Sequence, residues 1–373
     1  VSDALRALVR GSVRGMVAYD VPRPPGIRAN LAANESPYPL GDDAKASLLA
    51  ALSAVDPHRY PDAHCANLRA VVADDMGVDP ASLVFGNGSD ELIAMLVAAF
   101  GAPRPGESAA RVLYPVPTFG EYRTCSYTHS ADVVEVPTSE GFALDGGALE
   151  AAMRDRRPNL AFFARPNNPT GTLWDRGVIE RLIREFPDVL VIVDEAYIDY
   201  GGDSFLPLRA ELPNLVIMRT LSKIGMAGLR VGFLTADPWV VGELEKVRPP
   251  YNLTAYSQAA ATHLLATQRE AIAAHCREVA AERGRVRAAL DALDGLEPFD
   301  SEANLIIVRV ADSAGAEGGE PRAHGVWRRL AERGVLVRKF GAGSALGSFL
   351  RISIGTPGEN DLLLASLPDA LSR

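Results

Sequence analysis

Lysine is scarce in this chain: Lys45, Lys223, Lys246 and Lys339 stand against 34 arginines. That bias rules out lysine as the routine carrier of positive charge, and it sets apart the one in TLSKIGMAGLRVGF at 220–233. A desolvated lysine can lose its proton and form a Schiff base with a carbonyl, whereas arginine stays charged. Cysteine is sparse too. Cys65, Cys125 and Cys276 are far apart, odd in number and without metal-ligand spacing, which excludes a disulfide framework or zinc cluster and leaves buried thiols. A basic excess is also missing. The net charge of -9 and pI near 5.3 leave no basic face for nucleic acid or an anionic membrane, so a few local positive groups must hold any anionic ligand. The longest apolar run, LIAMLVAAF, is too short to span a bilayer, and VSDALRALVRGSVRGMVAYD has no signal-peptide core; a soluble, cytoplasmic protein is expected.

What is present is ordinary globular material, 373 residues with 47% hydrophobic and 23% charged, enough for two domains with a large core. VPRPPGIRANLAANESPYP at 21–39 is proline-rich and polar, and predicts an extended surface arm. Beyond residue 46, helix-like stretches alternate with short runs rich in Val, Ile, Leu or Phe, at 82–86, 110–114, 132–136, 159–164, 188–193, 214–219 and 231–234. Such runs suit strands buried on both faces, so the expected fold is α/β with a mostly parallel sheet. A helical stretch at 256–294 separates this region from runs at 305–310 and 349–355 that flank a helix at about 324–333, a second, smaller α+β unit. The division expected is an arm with part of the small domain at 1–50, a large domain at 51–265 and a small C-terminal domain at 266–373.

The polar motifs fall where strands end. LVFG runs into NGSDE, VLY into PVPTFGEY, LAFFA into RPNNPTG, VLVIV into DEAY, and LVIMR into TLSK. In an open parallel sheet, ligands bind outside these carboxyl ends. Gly86 and Gly88 precede a helix with an apolar face of Leu92, Ile93, Leu96, Val97 and Phe100. Such a turn offers backbone N–H groups to an anion, and a plain N-cap by Ser89 is the alternative. Asp194, at the tip of a buried strand, requires a cationic partner. Asn168 precedes a proline that aims its amide into the cleft or simply builds a turn with Gly171. Arg230, seven residues beyond Lys223, would hold phosphate and push the amine pKa of Lys223 down.

TLSK with GLRVG, DEAY, NNPTG and the GxGSDE turn, in this order, resemble the fold-type I pyridoxal-phosphate aminotransferases. LAANESPYP, HRYPD, FDSEANLIIV and FLRISIGT narrow the resemblance to the histidinol-phosphate aminotransferase family, over almost the whole chain. It implies pyridoxal 5'-phosphate as cofactor, with Lys223 holding its aldehyde and moving the substrate proton, Asp194 pairing with its ring nitrogen, and Tyr197 and Asn168 bonding its ring oxygen. Gly88, Ser89, Asp90, Ser222 and Arg230 would surround its phosphate, and Phe119 would stack on its ring. Tyr60 would reach the neighbouring subunit's cofactor, making a homodimer with shared sites. Arg351 and Asn34 would meet the substrate carboxylate, and Arg338 and Tyr19 the substrate phosphate, although FGAGSALGSFL between Lys339 and Arg351 has no further base. The implied reaction exchanges the amino group of histidinol phosphate with 2-oxoglutarate, giving imidazole-acetol phosphate and glutamate in histidine biosynthesis. Its rivals are an aromatic amino-acid aminotransferase, a phosphothreonine decarboxylase, and a non-enzymatic dimer that retains the cofactor fold.

Overall fold

The computed structural model describes residues 3–18, 24–311 and 320–372. Within them lie twelve strands: β1 Ala29–Leu31, β2 Leu83–Asn87, β3 Arg111–Val116, β4 Asp132–Pro137, β5 Leu160–Ala164, β6 Leu190–Asp194, β7 Leu215–Thr220, β8 Val231–Thr235, β9 Leu296–Pro298, β10 Leu305–Val310, β11 Val335–Lys339 and β12 Phe349–Ser353. The seven apolar runs between residues 82 and 234 all became strands. They form one sheet in the order β2-β8-β7-β6-β5-β3-β4.

Every pairing in that sheet is parallel except those of β8, which is antiparallel to β2 and to β7. The carboxyl ends of the six parallel strands and the amino end of β8 therefore share one edge. Both faces of the sheet are covered, which is why its inner strands read as unbroken apolar runs rather than as alternation. Along β5, Phe162 joins Val112, Ile192 and Met218 in one core layer, and Phe163 joins Leu113, Val193 and Ile217 in the other. Helix Ser89–Phe100 seals the first layer with Leu92, Ile93, Leu96 and Val97. Helix Arg176–Glu185 seals the second with Ile179, Leu182 and Ile183.

The C-terminal strands build a second sheet, ordered β1-β11-β12-β10-β9. The proline-rich arm is not merely draped over the surface. Its residues Ala29–Leu31 pair in parallel with β11, with Ala29 and Leu31 buried and Asn30 exposed. The helical stretch predicted at 256–294 is two helices, Ala255–Thr267 and Arg269–Asp291, meeting at Gln268. The second packs with helices Arg322–Glu332 and Pro357–Leu371 into the core of the small sheet through Val279, Val286, Val326, Leu330, Leu363 and Leu367. All three cysteines are buried and unpaired, and burial pushes the Cys65 thiol up to about 11. No described helix is long and apolar enough to cross a membrane.

Phe162 is fully buried and stacks on Tyr122 with ring centroids 4.7 Å apart. Phe162→Ala is expected to remove about 3–5 kcal/mol of stability, read as a lower urea midpoint at unchanged slope. A loss below about 1 kcal/mol would contradict the packing of this layer.

Candidate active site

At the shared sheet edge, β2 ends in Asn87 and Gly88 caps the following helix with φ of +81° and no side-chain cap. Ser89 is the first helical residue rather than the cap, so the first-turn N–H groups are open toward the cleft. Two glycines make this approach possible. A Cβ on Gly232 of β8 would lie 2.5 Å from the carbonyl carbon of Gly88 and 2.6 Å from the Ser89 nitrogen. A Cβ on Gly88 would lie 2.5 Å from Arg230 Nη2. Arg230, itself in the left-handed region with φ of +53°, donates from Nη1 to Ser222 Oγ at 3.3 Å and from Nη2 to Asp90 Oδ2 at 3.2 Å. Ser222 also receives a hydrogen bond from Thr220 Oγ1 at 3.0 Å. A helix N-terminus, a hydroxyl and a guanidinium thus converge in a cup suited to a phosphate.

Asp194, the last residue of β6, is 4% exposed. Tyr122 donates its hydroxyl to Oδ2 at 2.6 Å, and the Ala196 N–H donates to Oδ1 at 3.1 Å. Burial pushes the Asp194 carboxyl up to about 6, opposed by those two hydrogen bonds. Burial beside Asp194 also holds the Tyr122 phenol well above its ordinary range, so it remains a donor. Tyr122 closes the strand-end motif PVPTFGEY but was assigned no role there; the one signal for its role was that a buried carboxylate at a strand tip needs donors. Phe119 sits edge-on to Tyr122, with ring centroids 5.7 Å apart. Lys223 ends the short turn Leu221–Lys223 after β7, and its Nζ lies 5.7 Å from the centre of the Tyr197 ring. Ser89, Asp90, Phe119, Asn168, Asp194, Tyr197, Ser222, Lys223 and Arg230 all line one cavity of about 130 Å³.

Lys223, Phe119, Asn168 and Tyr197 also border a wider cavity of about 920 Å³, closed on its other side by Asn34, Glu35, Arg338, Lys339 and Arg351. Asn34 is buried at φ of +55° and tied on every polar atom. Its N–H donates to Ser353 Oγ at 2.9 Å, its Oδ1 accepts from that hydroxyl at 2.8 Å, its carbonyl accepts from Asn304 Nδ2 at 3.0 Å, and its Nδ2 donates to Tyr197 OH at 3.0 Å. Because Tyr197 accepts there, its own proton is left to donate. Arg351 of β12 donates from Nη1 to Asn168 Oδ1 at 2.8 Å and from Nη2 to Ala32 O at 2.6 Å. Arg338 of β11 is its cross-strand partner. Of the predicted residues, Tyr60 lines neither cavity; it is 81% exposed and stacked on Tyr251 at 4.5 Å. Tyr19 lies outside the described residues.

Residues 27–367 match the family model described as aminotransferase class I and II. Histidinol-phosphate aminotransferase of Methylibium petroleiphilum is 39% identical over 377 residues, covering 100% of this chain and 97% of that protein. The enzyme of the same name from Aquifex aeolicus is 38% identical and covers 91% and 92%. Among solved structures, histidinol-phosphate aminotransferase from Sinorhizobium meliloti, in complex with pyridoxal-5'-phosphate, superposes with a TM-score of 0.83 at 24% identity, covering 98% of each chain. At that identity the likeness is one of fold.

The raised carboxyl of Asp194 has a consequence for stability. Its folded value of about 6 lies above the ordinary 3.8, so the folded chain binds this proton more tightly than the unfolded one. The favourable contribution is complete below about pH 4 and is lost as pH rises through about 6. In the ligand-free protein, Asp194→Asn is expected to be more stable than the parent at pH 8 by about 3 kcal/mol, an advantage that disappears toward pH 4. Urea midpoints across that range check it, and a pH-independent difference would contradict the cause given.

Proposed function

The chain belongs to the class I and II aminotransferases, and on that premise we propose that it transfers the amino group of histidinol phosphate to 2-oxoglutarate with pyridoxal 5'-phosphate as cofactor. The observation that carries the reading is the position of Lys223. It stands between an anion cup closed by Arg230 and Ser222 on one side and the adjacent arginines Arg338 and Arg351 on the other. One anion site suits the cofactor phosphate and the other the phosphate of the substrate. The full-length relatives bearing that name support the same reading.

The residues fit the cofactor. Asp194 is a buried carboxylate with no lysine or arginine within 4.0 Å among the described residues, and a protonated pyridine nitrogen supplies the cation that its burial calls for. Glycine at 88 and 232 keeps side chains out of the cup, where Arg230 would otherwise be displaced. When bound, pyridoxal phosphate supplies an aldehyde that takes up the substrate amine and a ring that accommodates the electron pair left at Cα. Asp194, fixed by Tyr122 and the Ala196 amide, would hold a proton on the ring nitrogen. Tyr197, with its proton free, and Asn168, with its amide N–H, would donate to the ring oxygen. Asp90 acts through Arg230, whose guanidinium it orients toward the cup.

Lys223 would hold the aldehyde of the bound cofactor, and its Nζ is the base placed to take up and return the proton of the substrate Cα. Arg351, with its plane set by Asn168 and Ala32, clamps the substrate anion together with Arg338. Tyr60, exposed and remote from its own cavities, reaches the cup of a second copy, which makes the protein a homodimer with shared sites. An aromatic amino-acid aminotransferase would have no phosphate for the second arginine of the pair.

Single additions to the cofactor-loaded protein test the reading. Glutamate and histidinol phosphate are expected to bleach the yellow absorbance, while histidinol and phenylalanine change it at least tenfold less efficiently. Arg338→Ala is expected to raise KM for histidinol phosphate by at least tenfold, since one charge-assisted contact to the substrate is lost. Phenylalanine bleaching the protein as readily as histidinol phosphate would overturn the assignment.

A further inference from the structure

The wider cavity contains one carboxylate among its described lining residues, that of Glu35, against the basic residues Lys223, Arg338, Lys339 and Arg351. None of those basic groups lies within 4.0 Å of it, and no described lysine or arginine forms a salt bridge with it. This separation is built in. Lys223 stands at the end of β7, Arg338 and Lys339 on β11 and Arg351 on β12, whereas Glu35 stands on the arm directly after Asn34, which hydrogen bonds on four polar atoms hold in place. An exposed glutamate on a pinned backbone gives the cavity one carboxylate acceptor in a wall where Arg338, Lys339 and Arg351 supply positive charge. A ligand that is purely anionic has no use for that group. A ligand with an anion at one end and an N–H donor at the other uses both.

We infer that Glu35 is a specificity-determining residue, its carboxylate accepting a hydrogen bond from the imidazole N–H of the substrate while Arg338 and Arg351 hold the phosphate. This rests on the histidinol-phosphate reading given above. Charged or neutral, the ring carries an N–H donor, and a carboxylate is a strong acceptor for it. Glutamate, the other amino donor, has no such group, and its side-chain carboxylate is repelled by Glu35. One residue therefore acts in opposite directions on the two substrates, favouring the ring and disfavouring the acid.

The test is Glu35→Gln, an isosteric change at an exposed position, assayed with three amino donors: histidinol phosphate, glutamate, and phenylalaninol phosphate, which keeps the phosphate and an aromatic ring but has no ring N–H. KM for histidinol phosphate is expected to rise about tenfold with kcat nearly unchanged. KM for phenylalaninol phosphate should stay within about twofold of the parent, and that for glutamate should be equal or lower. The glutamate reaction also reports that the variant is folded and loaded. Equal rises for all three donors, or no rise for histidinol phosphate, overturn the inference while leaving the substrate assignment standing. A parent enzyme inert toward histidinol phosphate overturns both.

Discussion

Strands buried on both faces have only their ends in which to place a polar side chain, and the chemistry of this protein is confined accordingly. β5, β6 and β7 are apolar on both sides until the last residue or two. Asp194 closes β6, Thr220 closes β7 ahead of Ser222 and Lys223, and Asn168 follows β5 by a few residues. The reversed direction of β8 brings the residue before it, Arg230, to the same edge as the residues that follow its antiparallel neighbours β2 and β7. Without that single antiparallel strand the guanidinium would sit at the far end of the sheet from Ser222 and Asp90. The anion cup therefore depends on topology before it depends on any side chain, and the glycines at 88 and 232 are the local condition that lets the topology close.

Asn34 joins the two sheets. It belongs to the arm, bonds to Ser353 at the end of β12 and to Asn304 beside β10, and donates to Tyr197 at the edge of the large sheet. Arg351 makes a second bridge of the same kind, from β12 to Asn168 and to the arm at Ala32. Both bridges end on residues that face Lys223 across a cavity. Buried polar networks are costly when only partly satisfied, so a shift of the small sheet relative to the large one would have to break several of these bonds together. Arg351 and the residues around Lys223 are in this way held in one geometry, although they come from distant parts of the chain.

The sequence disclosed the strand ends because burial leaves a legible mark: unbroken Val, Ile, Leu and Phe runs that stop at polar motifs. It disclosed most of the cavity residues for the same reason, since Asp194, Asn168, Ser222 and Lys223 sit at or within a few residues of such a stop and Arg230 directly before such a run begins. Tyr122 escaped because it lies on a helix and meets Asp194 across 72 residues of chain, a contact that no local pattern encodes. β1 escaped because a three-residue strand inside a proline-rich arm has too few positions to show alternation, and only pairing with β11 reveals it. The pairing of Asp90 with Arg230 depends on β8 running backwards, which composition does not show. What stayed hidden was in each case a relation between distant segments, whereas what could be read was the local consequence of burial.

The same division explains why the chain uses so little lysine. Several of its arginines satisfy carbonyls where distant segments meet: Arg104 reaches Pro158 and Asp188, Arg165 reaches Trp174 and Asp203, and Arg283 reaches Tyr200 and Ala303. A planar group with five donors suits that task better than a single ammonium. Two of the four lysines, Lys45 and Lys246, form pairs with acids three residues away on exposed helices, where the choice between the two bases matters little. Lys339 lies with its ammonium 4.4 Å from the centre of the Trp327 ring on the cavity wall. That leaves Lys223, at a strand end between two anion sites, where a permanently charged guanidinium could neither form a Schiff base nor take a proton. The reaction proposed for this chain requires a base there that can be neutral, and the scarcity of lysine elsewhere is what made the position visible.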